Sequence, residues 1–164
     1  MTDVLTLGTF DLLHYGHLDF LAAAARLGAA LTVGVNSDRF TASFKAAPVM
    51  DQDERLYAVT RAGYEAVLND GPGYDLIATT RPRVLAVGSD WARKDYLAQL
   101  WVTQDWLDGR GVTVAYVPYR QWRPISSTEI RKRVLARCRC RDEGAGDGDD
   151  RGPASAVGAG EDAG

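Results

Sequence analysis

Val4-Leu5-Thr6-Leu7-Gly8-Thr9-Phe10-Asp11-Leu12-Leu13-His14-Tyr15-Gly16-His17 opens on an apolar run and closes on two histidines three residues apart. The first four residues read as a strand. The stretch from His17 to Leu27 reads as a helix, with Leu18, Leu21, Ala24 and Ala25 at helical spacing and Gly28 as its stop. A strand that turns through a glycine into a helix start is a ready anion site, because free N–H groups and the helix dipole both face the turn. His14 and His17 lie on one face of such a helix start. Two imidazoles there can donate hydrogen bonds to phosphate oxygens. Gly8 admits a close approach to the backbone, and Gly16 removes a side chain that would crowd a bound phosphate.

The same alternation continues along the chain. Strands are predicted at Leu31–Val35, Ala66–Leu68, Val84–Val87 and Val112–Val117. Helices are predicted at Asp53–Ala62, Tyr74–Thr80 and Asp95–Asp108, with a last one from Ser126 toward Arg137. The strands lack strict polar alternation, as strands buried on both faces should. Five strands alternating with helices predict an α/β fold, a Rossmann-like doubly wound five-stranded parallel sheet. Ligands in such folds sit beyond the carboxyl ends of the strands. The informative residues are therefore those from Gly8, Asn36, Gly88 and Pro118 onward.

The chain has 164 residues and is 46% hydrophobic, enough for one domain with a core and too little for two. Its net charge of −3 is unevenly spread. The stretch 142–164 holds seven acids and one base, leaving 18 basic and 15 acidic residues in the first 141, a net of +3. That stretch also carries seven of the 17 glycines and little that could be buried, so it reads as a disordered acidic tail behind a domain at 1–141. The arginine-rich end of the last helix reads as a solvated basic face. Cys138 and Cys140 are the only cysteines; Cys-x-Cys is poorly placed for a mutual disulfide, and His14 and His17 are the only histidines to complete a metal site. Reduced thiols and no protein metal site are expected. No leader-like basic segment precedes the first strand, and no apolar stretch approaches the roughly 20 residues of a membrane span, so a cytoplasmic protein is expected.

Gly8-Thr9-Phe10-Asp11 with His14-Tyr15-Gly16-His17 resembles the signature of the cytidylyltransferase-like nucleotidyltransferase superfamily. A second motif, Ile125-Ser126-Ser127-Thr128, resembles the Ile-Ser-Thr-Thr core of that family's C-terminal phosphate loop. Ser126 and Glu129 also have capping-box spacing at a helix start. The family arginine of this motif would fall at Gln121; Arg120 and Arg123 flank it, and Arg120, which follows the fifth strand more closely, is favoured. Pro124 replaces the motif glycine. Asn36-Ser37-Asp38 follows the second strand as in several branches. Lys45 then matches a lysine that reaches the α-phosphate and the acceptor phosphate. Glu54-Arg55 resembles a Glu-x-Arg position whose arginine helps bind substrate phosphate. Gly88-Ser89-Asp90-Trp91, with Lys94, resembles the Gly-Asp-Asp-Trp segment of glycerol-3-phosphate cytidylyltransferases, which lies near the nucleotide base and ribose.

The resemblance implies transfer of a nucleotidyl group from an NTP to a small phosphorylated alcohol, with release of pyrophosphate. His14, His17, Lys45 and Arg120 would stabilise charge on the triphosphate. Gly8, Thr9, Phe10, Gly16, Gly88, Asp90, Trp91 and Ile125 to Thr128 would bind the nucleotide. Asp11, Lys45, Arg55 and Lys94 would contact the substrate. Mg²⁺ is the implied cofactor, carried on phosphate oxygens. CTP with glycerol 3-phosphate or a related polyol phosphate is the first expectation. An adenylyltransferase acting on a sugar phosphate or flavin mononucleotide is the alternative, since the heptose-phosphate branch shares Val35-Asn36-Ser37-Asp38. A non-catalytic nucleotide-binding module is the third. The implied partners include no nucleic acid and no membrane, and a homodimer is expected by family analogy.

Overall fold

The computed structural model describes residues 2–89, 95–118 and 125–144. They fall into two units, Met1–Ile130 and Arg131–Gly164. The first holds five strands, β1 (Val4–Gly8), β2 (Leu31–Asn36), β3 (Glu65–Asn69), β4 (Val84–Gly88) and β5 (Thr113–Val117), in one sheet ordered β3-β2-β1-β4-β5. Every pairing is parallel, and β1 runs beside β2 from Val4–Leu31 through Gly8–Val35. The doubly wound parallel sheet expected from the sequence is therefore present. The order reverses at β1, so β1 and β4 diverge into connections on opposite faces, and a cleft opens beyond their carboxyl ends.

Each sheet face buries its own cluster. Val4, Val33 and Ala86 pack with Phe20, Leu21 and Ala24 of α1 (Tyr15–Ala25) and Val59 of α3 (Gln52–Arg61). Leu5, Leu7, Leu85 and Val87 pack on the other face with Ile77 of α4 (Tyr74–Thr80) and Leu107 of α6 (Gln104–Asp108). This two-sided burial is why the central strands read as unbroken apolar runs. Helix α3 starts on a complete capping box: Asp51 Oδ1 accepts from the amides of Asp53 and Glu54, while Glu54 accepts from the Asp51 amide.

Three elements differ from expectation. The single helix predicted over Asp95–Asp108 is two short ones, α5 (Tyr96–Gln99) and α6. Leu100 and Val102 are both buried in one cluster, and residues two apart on a continuous helix would face different directions. The chain breaks to bury both. Trp101 takes a left-handed φ of 55°, the Leu100 carbonyl accepts from the Tyr74 amide, and Thr103 caps the restart through the Trp106 amide. The segment after Asn36 also holds an extra short helix, α2 (Asp38–Ala42), with Ser37 Oγ accepting from the Phe40 amide. Lastly, α7 (Ser127–Gly144) begins in the first unit, continues into the second, and runs past the predicted Asp142 boundary. The rest of the predicted acidic tail lies outside the described residues. Among the described residues, no helix is long and apolar enough to cross a membrane.

Leu7 is wedged between two glycines. A Cβ on Gly34 would overlap Leu7 Cδ2 and stand 2.7 Å from Leu76 Cδ2, while a Cβ on Gly73 would stand 2.5 Å from Leu7 Cδ1. Leu7 has nowhere to retreat. Gly34→Ala should therefore lower the unfolding free energy by about 1–3 kcal/mol through overpacking. Gly71→Ala, where nothing stands within 4 Å, should leave it nearly unchanged. Urea denaturation of the two variants checks this.

Candidate active site

The loop from Gly8 to His14 decides the shape of the site, and it is strained. Phe10 and Leu12 have φ of 53° and 49°, the left-handed region that residues with a Cβ seldom occupy. The gain is that the Phe10 ring turns inward, 5% exposed, and meets the His17 ring edge-on at 5.4 Å. Gly8 makes this possible, since a Cβ there would lie 2.9 Å from the Phe10 ring.

A buried cation holds the loop in place. Arg55 is fully buried. Its Nη1 donates to the carbonyls of Thr9 and Asn36, both at 2.7 Å, its Nε to the Met50 carbonyl at 3.1 Å, and its Nη2 to Asp38 Oδ1 at 2.6 Å. Four of its five N–H donors are thereby engaged on the ends of β1 and β2, the turn before α3, and α2. Asp11 works from the opposite side. It is 3% exposed, and its Oδ1 accepts from the amides of Val49 and Met50, each at 3.0 Å. Arg55, expected as a substrate-phosphate ligand, is instead a positioning residue beneath the site, because its guanidinium is spent on protein acceptors.

On this base stand the two histidines. His14 is the N-cap of α1, with extended backbone, no side-chain cap and no acidic residue in the first turn. Its ring stacks on that of His17, centroids 3.8 Å apart and 16° from parallel. Both nitrogens of His14 and Nδ1 of His17 are buried without a hydrogen-bond partner. Buried polar atoms are normally satisfied, so orphans grouped at a cleft mark a place for a ligand. Burial pushes both imidazoles toward the neutral form. His17 falls to about 3, with the neighbouring His14 and Lys45 adding to the effect and Asp11 opposing it. Gly16 serves this pair more directly than it serves a ligand: a Cβ there would lie 3.1 Å from His14 Nδ1 and from Ile125 Cγ2.

The cavity above measures about 720 Å³. Gly8, Thr9, Phe10, Asp11, His14, His17, Lys45, Gly88 and Ile125 to Thr128 all line it, so residues distant in sequence and expected in one site do meet there. The second motif is tied to the first. Ser127 Oγ donates to the Asp11 carbonyl at 2.6 Å, and Ser126 Oγ accepts from the Glu129 amide at 3.1 Å. Ser127 thus spends its hydroxyl proton on the protein, while Ser126, whose oxygen only accepts, keeps its own hydroxyl proton, as the cavity-lining Thr128 also carries one. Asp90, Trp91, Lys94 and Arg120 lie outside the described residues. Sequence reasoning marked the chain from Asn36 onward but missed Phe40, Phe44, Tyr96 and Gln99 as lining residues. Phe40 lies in a helix too short to predict and Phe44 just past its end, so no periodic signal marked either.

The arrangement suits a polyanion. A helix start, two neutral imidazoles whose ring nitrogens lack partners, and a lysine bring hydrogen-bonding groups and positive charge to one cavity. Among the described residues no group of three or more His, Cys, Asp or Glu side chains comes together. A Mg²⁺ ion that keeps its waters and takes ligands from phosphates needs no such group, so the donor set is compatible with it.

The histidine shift carries a stability signature. In the unfolded chain His17 titrates near 6.5; folded, it titrates near 3. Between those values the unfolded state binds more protons, so stability present above pH 6.5 is lost as pH falls toward 3. His17→Gln removes that titration. Thermal melting at intervals from pH 7.5 to 4.5 should show the wild type losing more of its melting temperature than the variant over the acid half of the range.

Residues 5–133 match the family model for cytidylyltransferase-like domains. Two bacterial proteins, both bifunctional protein HldE, are similar to it: that of Trichlorobacter lovleyi is 34% identical over 139 residues, and that of Syntrophotalea carbinolica 35% over 141. These alignments cover 82% and 83% of this chain and 27% of each relative, so the chain spans about a quarter of the length of the curated relatives it matches. Among solved structures, the lipopolysaccharide core biosynthesis protein from Thermoplasma volcanium superposes with a TM-score of 0.60 at 27% identity, over 75% of this chain and 99% of that one. With the family model covering most of the chain and the parallel sheet in place, the chain belongs to the cytidylyltransferase-like nucleotidyltransferase family.

Proposed function

We propose that this chain transfers a nucleoside monophosphate from an NTP to the phosphate of a small sugar, releasing pyrophosphate. The observation that carries the reading is the stacked His14–His17 pair, its ring nitrogens buried without partners, in the wall of a cavity that Lys45 and Thr128 also line. The acceptor phosphate is ionised at neutral pH and needs no general base. Its oxygen attacks the α-phosphorus, the bond to the β-phosphate oxygen breaks, and pyrophosphate leaves with the electron pair. Catalysis of such a step rests on positioning and on donors aimed at developing charge. The imidazoles donate to phosphate oxygens, Lys45 neutralises charge as two anions approach, and the start of α1 adds its dipole. Mg²⁺, when bound, neutralises charge on the β- and γ-phosphates.

ATP is the favoured donor and a sugar phosphate the favoured acceptor. Val35-Asn36-Ser37-Asp38, the run shared with the heptose-phosphate branch, is built into the site: Asn36 lines the cavity and Asp38 holds Arg55. A relative concerned with lipopolysaccharide core biosynthesis also favours a sugar. CTP with a polyol phosphate is the second reading, supported by Gly88-Ser89-Asp90-Trp91 and Lys94.

Pyrophosphate release from ATP or CTP, each paired with sugar and polyol phosphates in the presence of Mg²⁺, tests both readings. Turnover with ATP and a sugar phosphate is expected, and His17→Ala should slow it by roughly 10²- to 10³-fold. Turnover confined to CTP and polyol phosphates would establish the second reading. NTP binding without pyrophosphate release in any pairing would overturn the catalytic assignment.

A further inference from the structure

Helix α2 is only five residues long, yet it is anchored on three sides. Ser37 Oγ accepts from the Phe40 amide at 3.0 Å. Asp38 binds Arg55 through one oxygen and the Gln52 amide through the other, while its own amide donates to Gln52 Oε1. Arg39 donates to the carbonyl and carboxylate of Asp70. Residues this short and polar at their start do not form a stable helix alone; the anchoring holds one in place. Helix α2 presents Phe40 to the cavity, and Phe44 follows two residues past its end at Ala42. Phe40 and Phe44 both line the cavity, their rings edge-to-face at 5.2 Å, with Lys45 next in the chain. Phe44 remains 40% exposed. Phenyl rings left partly exposed in the wall of this cleft gain if the apolar face of a ligand covers them.

We propose that Phe40 and Phe44 form an aromatic platform that selects cyclic sugar phosphates over open-chain polyol phosphates. The C–H face of a sugar ring lies against the phenyl rings while its phosphate reaches Lys45. A flexible open chain offers no such face and loses more conformational freedom on binding. The inference rests on the proposed transfer to a sugar phosphate and assigns its selectivity to these two residues.

Phe44 is the residue to change, since its exposure spares the core. Phe44→Ala and Phe44→Leu should raise KM for cyclic sugar phosphates about tenfold, the weight of one aromatic contact. KM for the NTP and for glycerol 3-phosphate should stay unchanged, and Phe44→Tyr should retain wild-type behaviour. Equal KM for the sugar phosphate in all four proteins, or a rise shared by glycerol 3-phosphate, would overturn the platform while leaving the transfer reaction intact. If the wild type releases no pyrophosphate with any pairing, the transfer reading fails. Saturation-transfer NMR then decides the platform alone. Transfer to sugar ring C–H protons that is lost in Phe44→Ala supports it, and its absence from the wild type overturns it.

Discussion

Everything at the top of this sheet depends on the guanidinium of Arg55. Three backbone carbonyls and the Asp38 carboxylate converge on it, from Thr9 after β1, from Asn36 and Asp38 around the end of β2, and from Met50 just before α3. Remove the cation and those carbonyls have no donor, at about 1–3 kcal/mol for each buried acceptor left unmade. A lysine could not replace it, because one ammonium cannot span four acceptors set in a fork. The same cation offsets the strain of the loop above. Phe10 and Leu12 sit at positive φ, a conformation that costs about 1–3 kcal/mol per residue and persists only where the surroundings over-determine it. Arg55 grips that loop at Thr9, Asp11 grips it through Val49 and Met50, and Ser127 grips it at the Asp11 carbonyl.

That rigidity explains the electrostatics of the cavity. The cation is sealed beneath the floor, so it does not serve as a ready counter-ion at the surface of the site. The imidazoles above are neutral, stacked and short of partners. Their polarity is held ready for a ligand that brings its own charge. Preorganised donors of this kind need no rearrangement at the moment of reaction, which is the main advantage a protein has over water in phosphoryl-type transfer. It also follows that ligand binding and protonation are coupled at His14 and His17, since an anion nearby favours the charged ring.

Much of this was legible in the sequence. Largely apolar runs at Val4–Leu7 and Val84–Val87 identify buried parallel strands, and the helix expected over Asp53–Ala62 is α3 to within one residue at each end, though its capping box at Asp51 went unread. The spacing of His14 and His17 after a strand and a glycine brings both rings to one cavity. What could not be read depends on who spends which donor. Arg55 and Ser127 carry the right chemistry for a phosphate, but their hydrogens go to carbonyls 46 and 116 residues away. Gly16 looked like space for a ligand and is space for the His14 ring. The break at Trp101 follows from burying Leu100 and Val102 together, a tertiary demand that local helical spacing does not report. Helix α2 is held by Asp38, Arg39 and Ser37 contacts across the fold, and its short span gives no periodic signal.

The central claim is that His14 and His17 form a neutral clamp that engages a triphosphate. Imidazole ¹⁵N NMR at pH 7, without and with ATP and Mg²⁺, tests it most directly. Both rings should be neutral in the free protein, and the ¹⁵N shifts of both should move together as ligand is added. Rings already charged in the free protein, or ring shifts that stay fixed while the nucleotide binds, would contradict the account.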